Sequence, residues 1–218
     1  MFTFTREQIR GFDPTKAVEF VSLWQQYYSP DTTRDVHTNE EIDYVTELHL
    51  GNELNETNVK RLLRWKDRRL LTETILTGAN AGAPNHRVAK VLRELSSLNE
   101  FRAAPLTEAT ENAFLNLTGQ IFETGIVWRA FLFHIARPHE YPIADRYVFR
   151  AFSTWRDVQD TQDWAFYQQF KTFFFELAAY AHLMNDHADI TGKVAALKPL
   201  DDALFAFGKF LESYDVAD

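Results

Sequence analysis

Apolar residues recur at intervals of three and four along most of this 218-residue chain, which is the spacing of one buried face of an α-helix. In the N-terminal segment the pattern is carried by Ala17, Phe20, Val21 and Trp24. No segment alternates apolar and polar residues over the length of a strand, and the chain has no Asn-Gly turn of the kind that joins hairpin strands. The sequence therefore predicts an all-α fold of about eight to ten helices, given ordinary helix lengths.

Capping residues predict where several of these helices begin and end. Asp13 followed by Pro14 is a start signal, because Asp accepts hydrogen bonds from free helix N–H groups and Pro fits the first turn. Thr38 with Glu41 has the spacing of a capping box. Further starts are predicted at Asn55 or Thr57, near Asn85 and at Thr107. Gly51 is a predicted helix end, and Gly78–Pro84 is a predicted loop.

The C-terminal half permits long helices. Between Ile143 and Lys198 there is no proline and a single glycine. The apolar spacing predicts Thr161–Met184 as the longest helix, and Pro199 as the start of the last one, because proline is favoured in a first helical turn. Most of the 19 phenylalanines are expected in the core, and the run Phe173-Phe174-Phe175 indicates a helix that is buried on several sides.

The absence of cysteine excludes a disulfide scaffold, a zinc ribbon, a thiol nucleophile and a cysteine-ligated iron–sulfur cluster. It fits a reducing cytoplasm. The chain shows neither a signal peptide nor an uncharged apolar run long enough to span a bilayer, so we expect a cytoplasmic protein that does not bind membranes. It also lacks an HExxH pair, a P-loop and a dinucleotide-binding glycine motif, so no metal and no cofactor are predicted.

Charge is distributed unevenly along the chain. Residues 60–69 hold six basic residues and one acidic residue, a net charge of +5, whereas the whole chain carries −8 and its remaining residues therefore −13. One interpretation is a phosphate-contacting patch with Trp65 beneath it or stacked on a base. The alternative is a solvated helix face that pairs with the eight acidic residues of the 31–56 segment.

A second informative segment runs from Gly125 to Arg150. A helical pattern leads into a short loop bounded by Pro138 and Pro142, and a second helix then begins at Asp145. The simplest interpretation of Asp145 is an ordinary N-cap, which backbone N–H donors and the helix dipole would stabilise as an anion.

The region from 108 to 156 resembles the helix-hairpin-helix (HhH-GPD) DNA glycosylase superfamily. Members of that family carry a glycine-containing hairpin, a helix and then a loop of the form apolar-apolar-Asp-x-x-apolar-x-Arg. Here the loop reads Pro142-Ile-Ala-Asp145-Arg-Tyr-Val-Phe-Arg150, and Gly125 precedes Asp145 by 20 residues, as the last hairpin glycine precedes the catalytic Asp in the family. The resemblance implies that residues 1–218 form a single all-α domain with the two-lobed helical fold of this glycosylase type.

The resemblance also implies a base-excision-repair-type protein with duplex DNA as its partner. Asp145 would be the catalytic carboxylate that stabilises the cationic sugar or activates water, after the target base has been flipped out of the stack. Thr124 and Gly125 would hold the hairpin beside a phosphate. The remaining assignments are Arg146 and Arg150 for phosphate contact or structural pairing, Trp128 and Tyr147 for the base pocket, and Lys60, Arg61, Arg64 and Arg68 for the basic patch.

Two departures from the family pattern shape the predicted activity. Val127 stands where bifunctional members place their Schiff-base lysine, so we expect monofunctional hydrolysis of the N-glycosidic bond of a damaged or mismatched base, without a lyase step. The hairpin has one glycine, and Glu123 lies where a phosphate should approach. The alternative is therefore a glycosylase-like module without catalysis that binds DNA or a protein partner, and a third possibility is a helical protein unrelated to DNA.

Overall fold

The computed structural model describes residues 13–28, 42–67, 70–184 and 189–214. These residues form ten α-helices and two 3-10 turns, Pro14–Lys16 and Gln25–Tyr27. Within the described ranges the extended structure is limited to an isolated antiparallel bridge between Thr74 and Pro84. The predicted all-α class is confirmed for this part of the chain.

The helices follow one another in this order: α1 (Ala17–Trp24), α2 (Tyr44–Glu47), α3 (Glu56–Lys66), α4 (His86–Arg93), α5 (Leu95–Ala103), α6 (Glu108–Ile121), α7 (Ile126–Ala136), α8 (Arg146–Arg156), α9 (Trp164–Tyr180) and α10 (Ile190–Tyr214). In the described part of the chain, no helix is long and apolar enough to cross a membrane.

Most of the predicted helix starts are confirmed, because a cap depends only on residues close to it in the chain. Asp13 accepts a hydrogen bond from the backbone of Thr15. The caps of three further helices are Asn55 for α3, Asn85 for α4 and Thr107 for α6. The Thr38–Glu41 box lies outside the described residues, and the nearest described helix, α2, is capped by Asp43.

The predicted boundaries near the C-terminus are wrong. The longest helix is α10 with 25 residues, whereas α9 has 17. Pro199 lies inside α10 rather than at its start. A proline in a helix interior costs one backbone hydrogen bond and strains the preceding turn. The buried side chains of Val194 and Leu197 before it, and of Leu200 and Leu204 after it, continue one apolar face through the proline and offset that cost.

The chain divides into two compact units. Unit 1 contains α1, the Ile126–His134 part of α7, and α8 to α10. Unit 2 contains α2 to α6 and the segment Ile135–Arg137, which is the last two residues of α7 and the residue after it. In unit 2 the core is formed by aliphatic side chains of α3 and α4, such as Leu62 and Val88, and by Phe101 and Phe114, whose rings stack 4.1 Å apart.

The core of unit 1 is aromatic. Phe152 of α8 packs against Phe173 of α9 with ring centroids 5.2 Å apart. Phe20 of α1 contacts Trp155 at 4.8 Å and Phe207 of α10 at 5.5 Å. These edge-to-face and tilted contacts are typical of buried aromatic pairs, and they confirm that Phe20, Phe152, Phe173 and Phe207 are core residues.

Helices α10 and α8 approach each other closely at Gly208. A Cβ atom built on Gly208 would lie 1.9 Å from the carbonyl oxygen of Tyr147, a separation that no side chain can occupy. We expect Gly208→Ala to lower the free energy of unfolding by about 2–3 kcal/mol, because the overpacked helix pair must move apart. Thermal and denaturant unfolding measure the change. Lys209→Ala, on the exposed side of the same turn, is the matched control, and a Gly208→Ala protein as stable as that control would contradict the prediction.

Candidate functional site

Asp145 is the N-cap residue of α8. Its Oδ1 atom accepts hydrogen bonds from the backbone N–H groups of Tyr147 at 2.7 Å and Val148 at 2.9 Å. The side chain is half-buried, and among the described residues Oδ2 has no hydrogen-bond donor. One oxygen therefore orients the carboxylate on the helix end, and the other remains able to contact a ligand or a water molecule.

The loop that carries Asp145 is held from two sides by buried groups. Nδ1 of His134, on α7, lies 2.6 Å from the carbonyl oxygen of Tyr141, and because a carbonyl only accepts, Nδ1 must carry the proton. The hydroxyl of Tyr167, on α9, donates to the carbonyl of Pro142 at 3.0 Å. Burial lowers the pKa of His134 from 6.5 to about 3. The imidazole is therefore neutral at physiological pH, and it positions the loop rather than supplying charge.

A polar cluster near Asp145 consists of Tyr28, Lys198, Asp201 and Asp202, and we call it the Lys198 cluster. The ammonium group of Lys198 lies 3.6 Å from Oδ2 of Asp201, forms an ion pair with Asp202 and lies 4.6 Å from the centre of the Tyr28 ring. Burial alone would lower the pKa of Lys198, but the carboxylates of Asp201 and Asp202 outweigh it and raise the pKa. Lys198 is therefore a fixed cation.

Electrostatics link the Lys198 cluster to Asp145. Burial is the main cause that raises the pKa of the Tyr28 hydroxyl, and the negative charges of Asp202, Asp201 and Asp145 add to it. These four residues were not predicted to form a site. Lys198 and the two aspartates have the i, i+3 and i, i+4 spacing that brings side chains together on a helix, but the predicted helix start at Pro199 separated them.

Aromatic rings connect this cluster to the first turn of α8. The Tyr28 ring packs edge-on against Phe205 at 5.5 Å, and Phe205 packs edge-on against Tyr147 at 5.0 Å. The guanidinium of Arg146 lies 4.6 Å from the centre of the Tyr147 ring. The three rings are thus in successive contact, and a cation lies against each of the two outer rings. Tyr147, a predicted pocket residue, is the one of these rings that is nearest to Asp145 in the chain.

The two predicted phosphate ligands of α8 share a partner within the chain. Nη1 of Arg150 lies 3.1 Å from Oε1 of Glu212, and Nη2 of Arg146 lies 3.7 Å from Oε2 of the same carboxylate. Burial would raise the pKa of Glu212, but Arg150, Tyr147 and Arg146 outweigh it and lower the pKa. A single carboxylate therefore bridges the positive charges beside Asp145.

The predicted basic patch is engaged in ion pairs inside unit 2. Each of its described members has a glutamate partner: Lys60 with Glu56 at 3.2 Å, Arg61 with Glu47 at 2.5 Å and Arg64 with Glu73 at 2.5 Å. Arg68 lies outside the described residues. Trp65 stacks on Tyr44 at 4.2 Å. Two of the three glutamates belong to the acidic 31–56 segment, so these contacts favour the interpretation of a paired helix face.

The hairpin residues predicted to approach a phosphate lie in the turn between α6 and α7. Glu123, Thr124 and Gly125 are exposed. Gly125 has φ +106°, a conformation that favours glycine, so its presence is explained by the turn itself. Trp128, the other predicted pocket residue, is half-buried in the first turn of α7. The structure brings Asp145, Arg146, Tyr147 and Arg150 together on α8 in unit 1, whereas Thr124, Gly125 and the basic patch belong to unit 2.

Within the described ranges, no group of three or more His, Asp and Glu side chains is arranged to hold a metal ion. No protein-family model, no curated protein and no solved structure shows significant similarity to the chain. The residues that bear on function are therefore those around Asp145, where the N-cap of α8 and the charged side chains beside it lie together.

Proposed function

We propose that the protein binds duplex DNA and hydrolyses the N-glycosidic bond of a damaged or mismatched base, as a monofunctional DNA glycosylase with Asp145 as its catalytic carboxylate. The observation that carries the proposal is the geometry of Asp145. One carboxylate oxygen is fixed by two helix N–H groups, and the other has no donor among the described residues. The motif around this residue resembles the one in which the glycosylase family places its catalytic Asp.

In the proposed reaction the Asp145 carboxylate stabilises positive charge and accepts a proton. When the glycosidic bond breaks, positive charge develops on the sugar, and a fixed anion beside it stabilises the transition state. The same oxygen can accept a proton from the attacking water. Val127 offers no amine at the position of the family's Schiff-base lysine, so the reaction proposed ends at base release.

Asp145→Asn tests the catalytic assignment. An Asn side chain keeps an oxygen for the N-cap but removes the negative charge. We expect base release from a panel of lesion-bearing duplexes to fall by about 100-fold or more, which is the usual loss when a group that stabilises transition-state charge is removed. DNA binding should change little.

Asp163→Asn is the matched control, because Asp163 caps α9 in the same unit by accepting a hydrogen bond from Phe166. Its base release should equal that of the wild type. Full base release by the Asp145→Asn variant would refute the catalytic assignment.

A second candidate is a glycosylase-like module without catalysis, which binds DNA or a protein partner. The observation that favours it is the set of ion pairs on Lys60, Arg61 and Arg64, together with the exposed Glu123 in the hairpin, since these features reduce attraction to phosphate. Salt-dependent DNA binding without base release on any lesion would support a DNA-binding module. The absence of any salt-dependent binding would favour a helical protein unrelated to DNA.

A further inference from the structure

Two guanidinium groups and a phenol hydroxyl converge beside the Asp145 loop. Arg146, Tyr147 and Arg150 lie in the first two turns of α8, and Nη2 of Arg146 donates to the Tyr147 hydroxyl at 2.5 Å. We call this group the α8 cation cluster. Paired guanidinium groups with a neighbouring hydroxyl are typical ligands of phosphate oxygens.

The carboxylate of Glu212 lies beside this cluster but does not accept a hydrogen bond from every donor in it. The distance from Arg146 to Glu212, 3.7 Å, is too long for a hydrogen bond. Nη1 of Arg150 is shielded from solvent and has no aligned hydrogen-bond acceptor, although Oε1 of Glu212 lies 3.1 Å away. A planar carboxylate with two oxygens thus leaves donors of the cluster unused.

We infer that the α8 cation cluster is a phosphate-binding site and that Glu212 is an internal competitor that a phosphate displaces. A tetrahedral phosphate presents more acceptor oxygens than a carboxylate and can bond both guanidinium groups and the hydroxyl together. Glu212 itself is part of α10, and its side chain is about one-third exposed at 34%, so the carboxylate can swing into solvent without unfolding a helix.

The phosphate can come from two sources, the DNA backbone or a free phosphate group. The DNA source rests on the proposed function, whereas binding of free phosphate does not. For DNA, Glu212 would weaken association with undamaged duplex until the backbone is seated beside Asp145. For free phosphate, the site would act independently of any nucleic acid.

Glu212→Gln is the central variant, and Glu176→Gln is its matched control. Glu176 pairs with Arg156 at the other end of α8, so both substitutions change the net charge equally, but only the first releases the α8 cation cluster. Binding of a short fluorescein-labelled duplex is measured by fluorescence anisotropy. Inorganic phosphate is titrated by NMR, with the side-chain Nε–H signals of Arg146 and Arg150 as the readout.

We expect Glu212→Gln to bind at least one probe about threefold to tenfold more tightly than the wild type, which is the range that follows from releasing exposed ion pairs. Glu176→Gln should bind like the wild type. Adding Arg146→Gln, a change at a side chain that is 71% exposed and therefore tolerated by the fold, should cancel the gain. With DNA, the salt dependence of Glu212→Gln should steepen by about one phosphate contact.

The outcomes separate the two sources and the two proposals. A gain for DNA and phosphate supports the site with DNA as its ligand. A gain for phosphate alone supports the site and counts against the proposed DNA function. No gain for either probe, or an equal gain in Glu176→Gln, overturns the inference, whatever the base-release assay of Asp145→Asn shows.

Discussion

Acidification should destabilise this protein through one buried histidine, by about 1.4 kcal/mol for each pH unit below 6.5. Burial lowers the pKa of His134 from 6.5 to about 3, so in that interval the unfolded chain binds a proton that the folded protein does not. The free energy of unfolding therefore falls as the pH falls. Above pH 6.5 both states are neutral at this residue and the contribution vanishes. Over the whole interval it reaches about 5 kcal/mol.

Urea unfolding at several pH values, compared between the wild type and His134→Gln, measures this contribution. The Gln amide can still donate to the Tyr141 carbonyl, but it does not titrate, so the variant should lose the additional slope between pH 6.5 and 3. His86→Gln, at an exposed position, is the control and should keep the wild-type slope. Equal slopes in the wild type and His134→Gln would contradict the assignment of a buried neutral imidazole.

Arg102→Met should lower the free energy of unfolding by about 3–5 kcal/mol, because it removes three charge-assisted hydrogen bonds to backbone carbonyls and leaves the acceptors unsatisfied. The guanidinium of Arg102 donates to Ile135 at 2.9 Å, Leu48 at 2.8 Å and His49 at 2.9 Å. Met retains the apolar stem of the side chain, so the loss isolates the guanidinium. Denaturant unfolding measures it.

The contact is reciprocal inside unit 2, which explains the size of the expected effect. Arg102 of α5 donates to the carbonyl of Ile135 at the end of α7. Arg137, directly after α7, donates to the carbonyls of Phe101 and Ala104 at the end of α5. Helix ends leave such carbonyls without intrahelical partners. Arg87→Met, at an exposed position of α4, is the control, and a loss no larger than in this control would refute the role assigned to Arg102.

The parts of the fold that the sequence predicted are those decided by neighbouring residues. The caps at Asn55 and Thr107 join atoms three residues apart, and the turn at Gly125 follows from its own backbone angle. The boundary at Pro199 was wrong for the opposite reason. Whether a proline begins a helix or lies within it depends on how residues such as Leu197 and Leu200 pack on the rest of unit 1. The spacing of residues along the chain does not contain that information.

The same distinction between local and tertiary contacts separates the features of the candidate site that were predicted from those that were not. Asp145 and its N-cap role were predicted, since the motif and the cap lie within a few residues. Other contacts could not be predicted because they join residues that are distant in the chain. Tyr28 and Lys198 come from opposite ends of the chain, and the glutamate partners of Arg61 and Arg64 are set by the tertiary fold. The catalytic role of Asp145, the pocket roles of Trp128 and Tyr147 and the phosphate contacts of Thr124 and Gly125 stay predictions.

The contacts of α1 have a consequence for how the chain is made. Trp24 packs against Phe207 at 5.1 Å, so α1 meets its partner on α10 only after about 180 more residues have been synthesised, which takes a ribosome on the order of 10–40 s. Unit 2, whose helices α2 to α6 are contiguous, leaves the ribosome within that time. The order of synthesis therefore favours completion of unit 2 first, while the apolar face of α1 waits for its partner.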